Sequence, residues 1–190
     1  MHLYELGVGG DPGADAWRAL LSQERVRARR IRDPVRRNRF VARRAALHAI
    51  LGRYCDDVCF STSHSGDVAA VAVATGPVGV DVEVDRPRPG QDRIARRMFA
   101  RDELAQLDAV DGDERRRLFL RCWVAKEAYA KGLGRGLAMR FDGFSVAAAL
   151  RSPAGAGPVA GGWGVAVTTS GDRHLAVAAP GEAWEVVRVG

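Results

Sequence analysis

Lysine is nearly absent from this chain. Of its 29 basic side chains only Lys126 and Lys131 are lysines, and the rest are arginines. An ammonium can give up and regain a proton when its surroundings depress its pKa, whereas a guanidinium essentially cannot. Two lysines five residues apart and none elsewhere therefore point to a chemical site, unless an arginine-biased genome alone accounts for the count. Cysteine is scarce too. Cys55, Cys59 and Cys122 make no disulfide framework and lack the second Cys/His pair that a zinc site needs, so a reducing, cytoplasmic setting is expected. No apolar run reaches the roughly 18 residues of a membrane span. Residues 1–17 have no basic stretch followed by an apolar one, so no secretory leader is expected there. There is no G-x-S-x-G elbow for a hydrolase serine. Gly132-Leu133-Gly134-Arg135-Gly136 is not a P-loop, because no Gly-Lys-Ser/Thr follows.

What is present is a core and an uneven charge. Apolar residues make up 47% of 190, enough for one large domain or two small ones packed together. The net charge is +6, yet residues 18–53 alone hold twelve arginines against Glu24 and Asp33. Such a segment suits a polyanionic partner or a solvated helix face. Nucleic acid is not expected as that partner: Phe40 is the one aromatic in the segment, and no recognised binding motif is present.

Strands are predicted at residues 3–8, 59–63, 68–74 and 78–84, the last two almost wholly apolar as buried strands are. Helices are predicted at 14–21, 22–32, 35–54, 92–99, 101–109 and 113–131. Residues 85–90, with Pro87 and Pro89, read as a linker. Residues 141–150, 163–169, 173–179 and 184–189 read as a strand-rich end, with a Gly/Pro/Ala loop at 152–162. A weak repeat runs through this pattern: Ser65-Gly66-Asp67 before Ala70-Val71-Ala72, and Ser170-Gly171-Asp172 before Ala176-Val177-Ala178. It suggests two related α+β halves, 1–78 and 79–190, each a small antiparallel-type sheet packed with helices, although six residues in an Ala/Val-rich chain can coincide by chance.

Three stretches could carry chemistry. Asp81 and Glu83 are two apart on a strand, so both carboxylates project to one side; like charges this close call for a cation, and hard oxygen ligands suit Mg²⁺. Trp123, Glu127 and Lys131 are spaced i, i+4, i+8 and share a helix face. Ser63-His64-Ser65-Gly66 joins a strand to a turn and offers O–H, N–H and imidazolium donors to a phosphate. A solvated strand end, a surface Glu–Lys pair and an ordinary turn are the plain alternatives for each taken singly.

Together, Phe60-Ser61-Thr62-Ser63-His64-Ser65, Gly79-Val80-Asp81-Val82-Glu83 and Trp123-Val124-Ala125-Lys126-Glu127-Ala128 with Lys131 resemble the ordered motifs of the 4′-phosphopantetheinyl transferases. The surfactin-synthetase type, a pseudo-dimer of two α+β halves in one chain, is the closest in pattern, over residues 25–145. The resemblance implies transfer of 4′-phosphopantetheine from coenzyme A to a serine of an acyl or peptidyl carrier protein, releasing adenosine 3′,5′-bisphosphate. It implies that Asp81, Glu83 and Glu127 hold Mg²⁺ (or Mn²⁺) with the pyrophosphate, and that Glu127 and Lys131, helped by Lys126, act at the reacting groups. It further implies that Ser63, His64 and Arg39, with Arg25 and Arg30, contact coenzyme A phosphates. The carrier would dock near Ile94, Arg96, Arg97, Met98 and Phe99, and the protein would be a monomer. One departure stands out. Members carry a Gly-Lys-Pro-like stretch that lines the adenine site before the Ser-His motif, whereas only residues 55–59 separate Tyr54 from Phe60 here. A diverted member that binds a carrier, or a carrier-bound substrate, without transferring the arm therefore stays open.

Overall fold

The computed structural model describes residues 1–55, 57–87, 89–136, 139–181 and 185–189. It is an α+β fold built on two four-stranded sheets. The first half contains β1 (His2–Gly7), helices α1 (Gly13–Ala19), α2 (Ser22–Arg30) and α3 (Pro34–Leu51), then β2 (Cys59–Ser65) and β3 (Val68–Ala74). The second contains β4 (Gly79–Val84), α4 (Gln91–Met98), α5 (Arg101–Asp108), α6 (Gly112–Gly132), α7 (Ala147–Arg151), β5 (Ala156–Val159), β6 (Trp163–Ser170) and β7 (Arg173–Pro180). The last strand, β8 (Val187–Val189), returns to the first sheet.

The strand orders are β2-β3-β1-β8 and β4-β7-β6-β5. All pairs are antiparallel except β1 with β8, which run parallel. The expected cut between 78 and 79 falls just before β4, but β8 crosses back over it, so the two halves are not separable in sequence.

The apolar run Val68–Ala74 is buried on both faces of β3. Val68, Ala70 and Ala72 pack with Val80, Val82, Leu175 and Val177 of the second sheet, while Val71 and Val73 pack with Leu47 and Ile50 of α3. The six-residue repeat marks two hairpins of one kind. The two-residue turns Gly66-Asp67 and Gly171-Asp172 close β2–β3 and β6–β7, with φ of +58° and +59° at the glycines. A glycine at positive φ in the first central position is the type II′ solution, whose twist matches that of the strands.

Two expectations are corrected. Residues 141–150 are not a strand: Phe141–Gly143 is a 3₁₀ turn and Ala147–Arg151 is α7. The loop expected at 152–162 contains β5, an edge strand on β6, where Pro158 withholds no hydrogen bond the sheet requires. The strand expected from residue 184 is β8 from 187; residues 182–184 lie outside the described residues.

Buried charge holds both helical layers. Glu24 of α2, 6% exposed, accepts hydrogen bonds from the Leu21 amide (3.0 Å) and from Arg44 of α3, and its Oε2 lies 2.8 Å from His48 Nε2. Burial alone would raise its carboxyl, but the bonds from His48, Leu21 and Arg44 outweigh this and hold it below the usual range. In the second half Lys126 of α6 and Glu103 of α5 form an ion pair at 2.8 Å with neither side chain exposed.

Candidate functional site

The two sheets meet edge to edge at β2 and β4, and the contact is made by serines. Ser61, Ser63 and Ser65 are all buried, because alternate residues of a strand share a face. Ser61 Oγ accepts from the Val80 amide (3.1 Å). Ser63 Oγ donates to Asp81 Oδ1 (2.6 Å). Ser65 Oγ donates to Glu83 Oε2 (2.6 Å) and accepts from the Val84 amide (3.2 Å). Side-chain hydroxyls thus replace a backbone ladder along the exposed side of β4 and fix both of its carboxylates.

Helix α6 reaches the same place because two glycines let backbones touch. A side chain at Gly79 would overlap the Ala128 carbonyl and the Gly132 amide, and one at Gly132 would overlap the Trp163 ring. This close approach brings Lys131 Nζ to 2.7 Å from Asp81 Oδ1 and 3.2 Å from the Val80 carbonyl. Glu127, 9% exposed, lies one turn earlier. Its carboxyl is pushed up by burial first, then by the charges of Asp81 and Glu83, with Lys131 opposing. Asp81 is also pushed up, by burial above all, against the pull of Lys131 and Ser63.

Asp81, Glu83, Glu127 and Lys131 therefore form one cluster. Among the described residues, no three His, Cys, Asp or Glu side chains are gathered as a ready ligand set. The donor chemistry nevertheless fits a hard divalent cation. Three carboxylates face one ammonium, two of them are destabilised as anions, and Asp81 Oδ2 is buried without a partner.

Lys126 does not join this cluster. One residue before Glu127 on the helix, it points some 100° away and is fully buried. Its three ammonium donors are matched by Glu103 Oε2 (2.8 Å), the Phe141 carbonyl (2.8 Å) and the Phe144 carbonyl (2.7 Å), and it lies 4.1 Å from the Phe144 ring centre. The expectation that it helps at the reacting groups is corrected to a structural one.

Beside the acidic cluster lies a basic cleft between α2, α3 and β2. It comprises two adjoining hollows, of about 490 and 740 Å³, that share Arg27, Phe40, Arg43 and His64. Arg39 lines the larger one, with its Nε 2.5 Å from Asp67 Oδ1. Burial, then the neighbouring Arg39, Arg27 and Arg44, pull Arg43 below its ordinary range, as expected where guanidiniums converge without an anion. His64 is lowered by burial, then by Arg43 and Lys131, against Glu83. His64 lines both hollows, whereas Ser63 lines only the smaller one and its hydroxyl is committed to Asp81. Arg25 and Arg30 are not among the lining residues; Arg27 and Arg43 are. For Arg43 the helical spacing against Phe40 and Leu47 of α3 was the signal that could have found it; Arg27 sits on the separate helix α2 and had no such signal.

The expected docking helix is α4. Ile94, Arg97 and Met98 line a groove of about 630 Å³ with Trp123, Met139 and Arg140. Phe99 is core instead, 3% exposed and 5.2 Å from the Phe119 ring. Arg96 is tied to Asp108 by two bonds of 2.9 and 3.0 Å. Among the described residues no helix is long and apolar enough to cross a membrane.

The chain is thus a two-sheet α+β protein with an acid–lysine cluster beside an arginine-lined cleft. The family model of the 4′-phosphopantetheinyl transferase superfamily matches residues 77–178. The chain is 30% identical over 193 residues to the 4′-phosphopantetheinyl transferase HetI of Nostoc sp., an alignment covering 87% of this chain and 81% of that one. It is 31% identical over 152 residues to slr0495 of Synechocystis sp., covering 66% of this chain but 62% of the relative. With the 4′-phosphopantetheinyl transferase Sfp of Bacillus subtilis the identity is 38% over 90 residues, 47% of this chain and 39% of Sfp. The chain belongs to the 4′-phosphopantetheinyl transferase superfamily.

Proposed function

We propose that this protein transfers the 4′-phosphopantetheine arm of coenzyme A to a serine of an acyl or peptidyl carrier protein, as a member of the surfactin-synthetase-activating type. The observation that carries the reading is the junction itself. Lys131 and Glu127 are seated on the Asp81 strand end, and His64 links that cluster to the arginine cleft.

In this reading Arg27, Arg39 and Arg43 bind the coenzyme A phosphates, and the His64 ring donates a hydrogen bond. Asp81, Glu83 and Glu127 would hold Mg²⁺ or Mn²⁺, which when bound supplies charge neutralisation on the pyrophosphate. The carrier serine Oγ bonds to the β-phosphorus, and the bond from that phosphorus to the bridging oxygen breaks. The electron pair leaves on adenosine 3′,5′-bisphosphate. Glu127, whose carboxylate is a stronger base because burial and the neighbouring carboxylates raise its pKa, takes the serine proton. Lys131 donates to the leaving phosphate. Ser63 and Ser65 orient Asp81 and Glu83, and Lys126 acts only by holding α6. The carrier's acidic helix meets Arg97 and the apolar Ile94 and Met98 of α4, where charge complementarity sets the encounter rate. Such a reaction belongs in the cytoplasm and asks nothing of nucleic acid or a partner subunit.

Incubation with coenzyme A, Mg²⁺ and a panel of apo-carriers tests this by intact mass. A gain of one phosphopantetheine unit on a carrier is expected. The short segment at 55–59 favours a second reading, a diverted member that binds a carrier without transfer. That reading is supported by carrier binding with no mass gain on any member of the panel.

A further inference from the structure

The two hairpins with matching turns each stand beside a hollow, and the two hollows are built on one plan. In the first half, Thr62, Ser63 and His64, the three residues before the Ser-Gly-Asp turn, face Phe40, Arg43, Arg44 and Leu47 of α3. In the second half a cavity of about 500 Å³ takes Val167, Thr168 and Thr169, the three residues before the other Ser-Gly-Asp turn, and faces Glu114, Arg117, Leu118 and Arg121 of α6. Both helices contribute positions i, i+3, i+4 and i+7, and i+3 is arginine in each.

The chemistry matches the geometry. Arg121 reaches the Leu150 carbonyl at 3.4 Å. Arg117, 61% exposed, lies 3.8 Å from Asp85, beyond hydrogen-bonding distance. Both guanidiniums thus keep donors for a ligand, against the single carboxylate of Glu114. His174 also lines the cavity, is 1% exposed, and has an Nε2 without a partner. Its Nδ1 is 3.0 Å from Thr169 Oγ1. In the tautomer in which that hydroxyl donates to Nδ1, Nε2 carries the proton and can donate to an oxyanion. The two hollows thus hold parts of the same kinds, arginine from a helix, hydroxyls from a strand, and a histidine, which precedes the turn in the first (His64) and follows it in the second (His174).

We infer that this second cavity is an oxyanion site for a small phosphate monoester, separate from the basic cleft of the first half and independent of the transferase reading. The test is equilibrium dialysis of the full chain with inorganic phosphate, and in a second arm adenosine 3′,5′-bisphosphate, at low ionic strength. A site that persists in Arg43→Ala and is lost in the Arg117→Ala/Arg121→Ala variant is expected in at least one arm; the arm that binds it more tightly identifies whether free phosphate or a nucleotide ester is the better ligand. The double variant Arg117→Ala/Arg121→Ala should lose one site, with at least a tenfold weakening, and Arg43→Ala should keep it. On the wild-type chain, phosphate should shift the His174 imidazole ¹⁵N resonances, which requires no variant to fold. No site left in Arg43→Ala in either arm, a stoichiometry unchanged in the double variant, or His174 resonances that do not move would overturn the inference.

Discussion

The two lysines should separate cleanly by experiment, and Lys126→Met is the sharper case. The substitution keeps the volume of the aliphatic stem but removes the ammonium. Glu103 is then left as a carboxylate with no exposure, still fed by the Ala100 and Val146 amides but without its counter-charge. The Phe141 and Phe144 carbonyls each lose a donor. Breaking a buried pair by removing one partner costs about 3–5 kcal/mol. At about 2–4 °C per kcal/mol for a chain of this size, Tm should fall by roughly 6–20 °C in a thermal melt followed by circular dichroism. Lys131→Met should cost less stability than Lys126→Met, because Lys131 is partly exposed and water can reach the side of Asp81 it vacates, while transfer collapses. Adding Glu103→Gln to Lys126→Met should restore part of the loss, because the stranded charge is gone; a coupling of about 0.5–3 kcal/mol is expected. If Lys126→Met melts like the wild type yet loses transfer, the assignment of Lys126 to structure is wrong.

Other expectations follow from the same geometry. Glu127 has a raised carboxyl in the fold, so its ionised form opposes folding at neutral pH and this penalty fades as pH falls through its elevated range. Glu127→Gln should therefore raise the Tm of chelator-treated protein, by about 2–4 °C for each kcal/mol relieved, and should abolish transfer; an unchanged or lower Tm would count against it. Glu24 has the opposite sign: its lowered carboxyl lends stability above the ordinary carboxylate range, and this is lost as pH falls below it. Glu24→Gln should be less stable at neutral pH and should flatten the acid limb of a stability–pH curve. Gly79→Ala should cost about 1–3 kcal/mol or more through overlap with Ala128 and Gly132, and should weaken transfer by lifting Lys131 off Asp81. Arg97→Glu should raise the KM for a carrier by about tenfold or more, with kcat little changed, in a carrier titration.

Much of this was legible because strand and helix periods are simple. Asp81 and Glu83 read as one face of a strand, and the face runs against α6. Glu127 and Lys131 read as one face of a helix, and both arrive at that strand. The Ser-Gly-Asp repeat, too short to trust alone, marks two equivalent hairpins. The failures share one cause: tertiary partners decide what local pattern cannot. Residues 141–150 look like a strand by apolar content, but the Phe141 and Phe144 carbonyls turn to Lys126 and the Val146 amide turns to Glu103. Lys126 looked chemical because lysine is rare here. Rarity says nothing about which way a helix position points, and one step along α6 separates the cluster from the core. Ser61 has no role legible in the sequence, and Ser65 reads there as a phosphate donor although it bridges to Glu83 and Val84, because a hydroxyl that bridges two strand edges has no signature until both edges are known. β5, drawn from Ala-Gly-Pro-Val, has little strand propensity of its own and exists because β6 offers it an edge.

The returning strand sets a schedule for folding. β8 lies beside β1, and the Met1 carbonyl accepts from the Val187 amide at 3.0 Å, so the two flanks of β1 are made at opposite times. β3 can pair with β1 once residue 74 is free of the ribosome, but β8 arrives more than a hundred residues later. At about 5–20 residues per second that is a delay on the order of ten seconds, during which β1 is an open edge and a template for the wrong strand. Contacts this distant in sequence also slow refolding of the whole chain. The first half is thus the earliest part to be synthesised and the last to be closed. Refolding yield should depend on protein concentration more steeply than the compact native fold suggests.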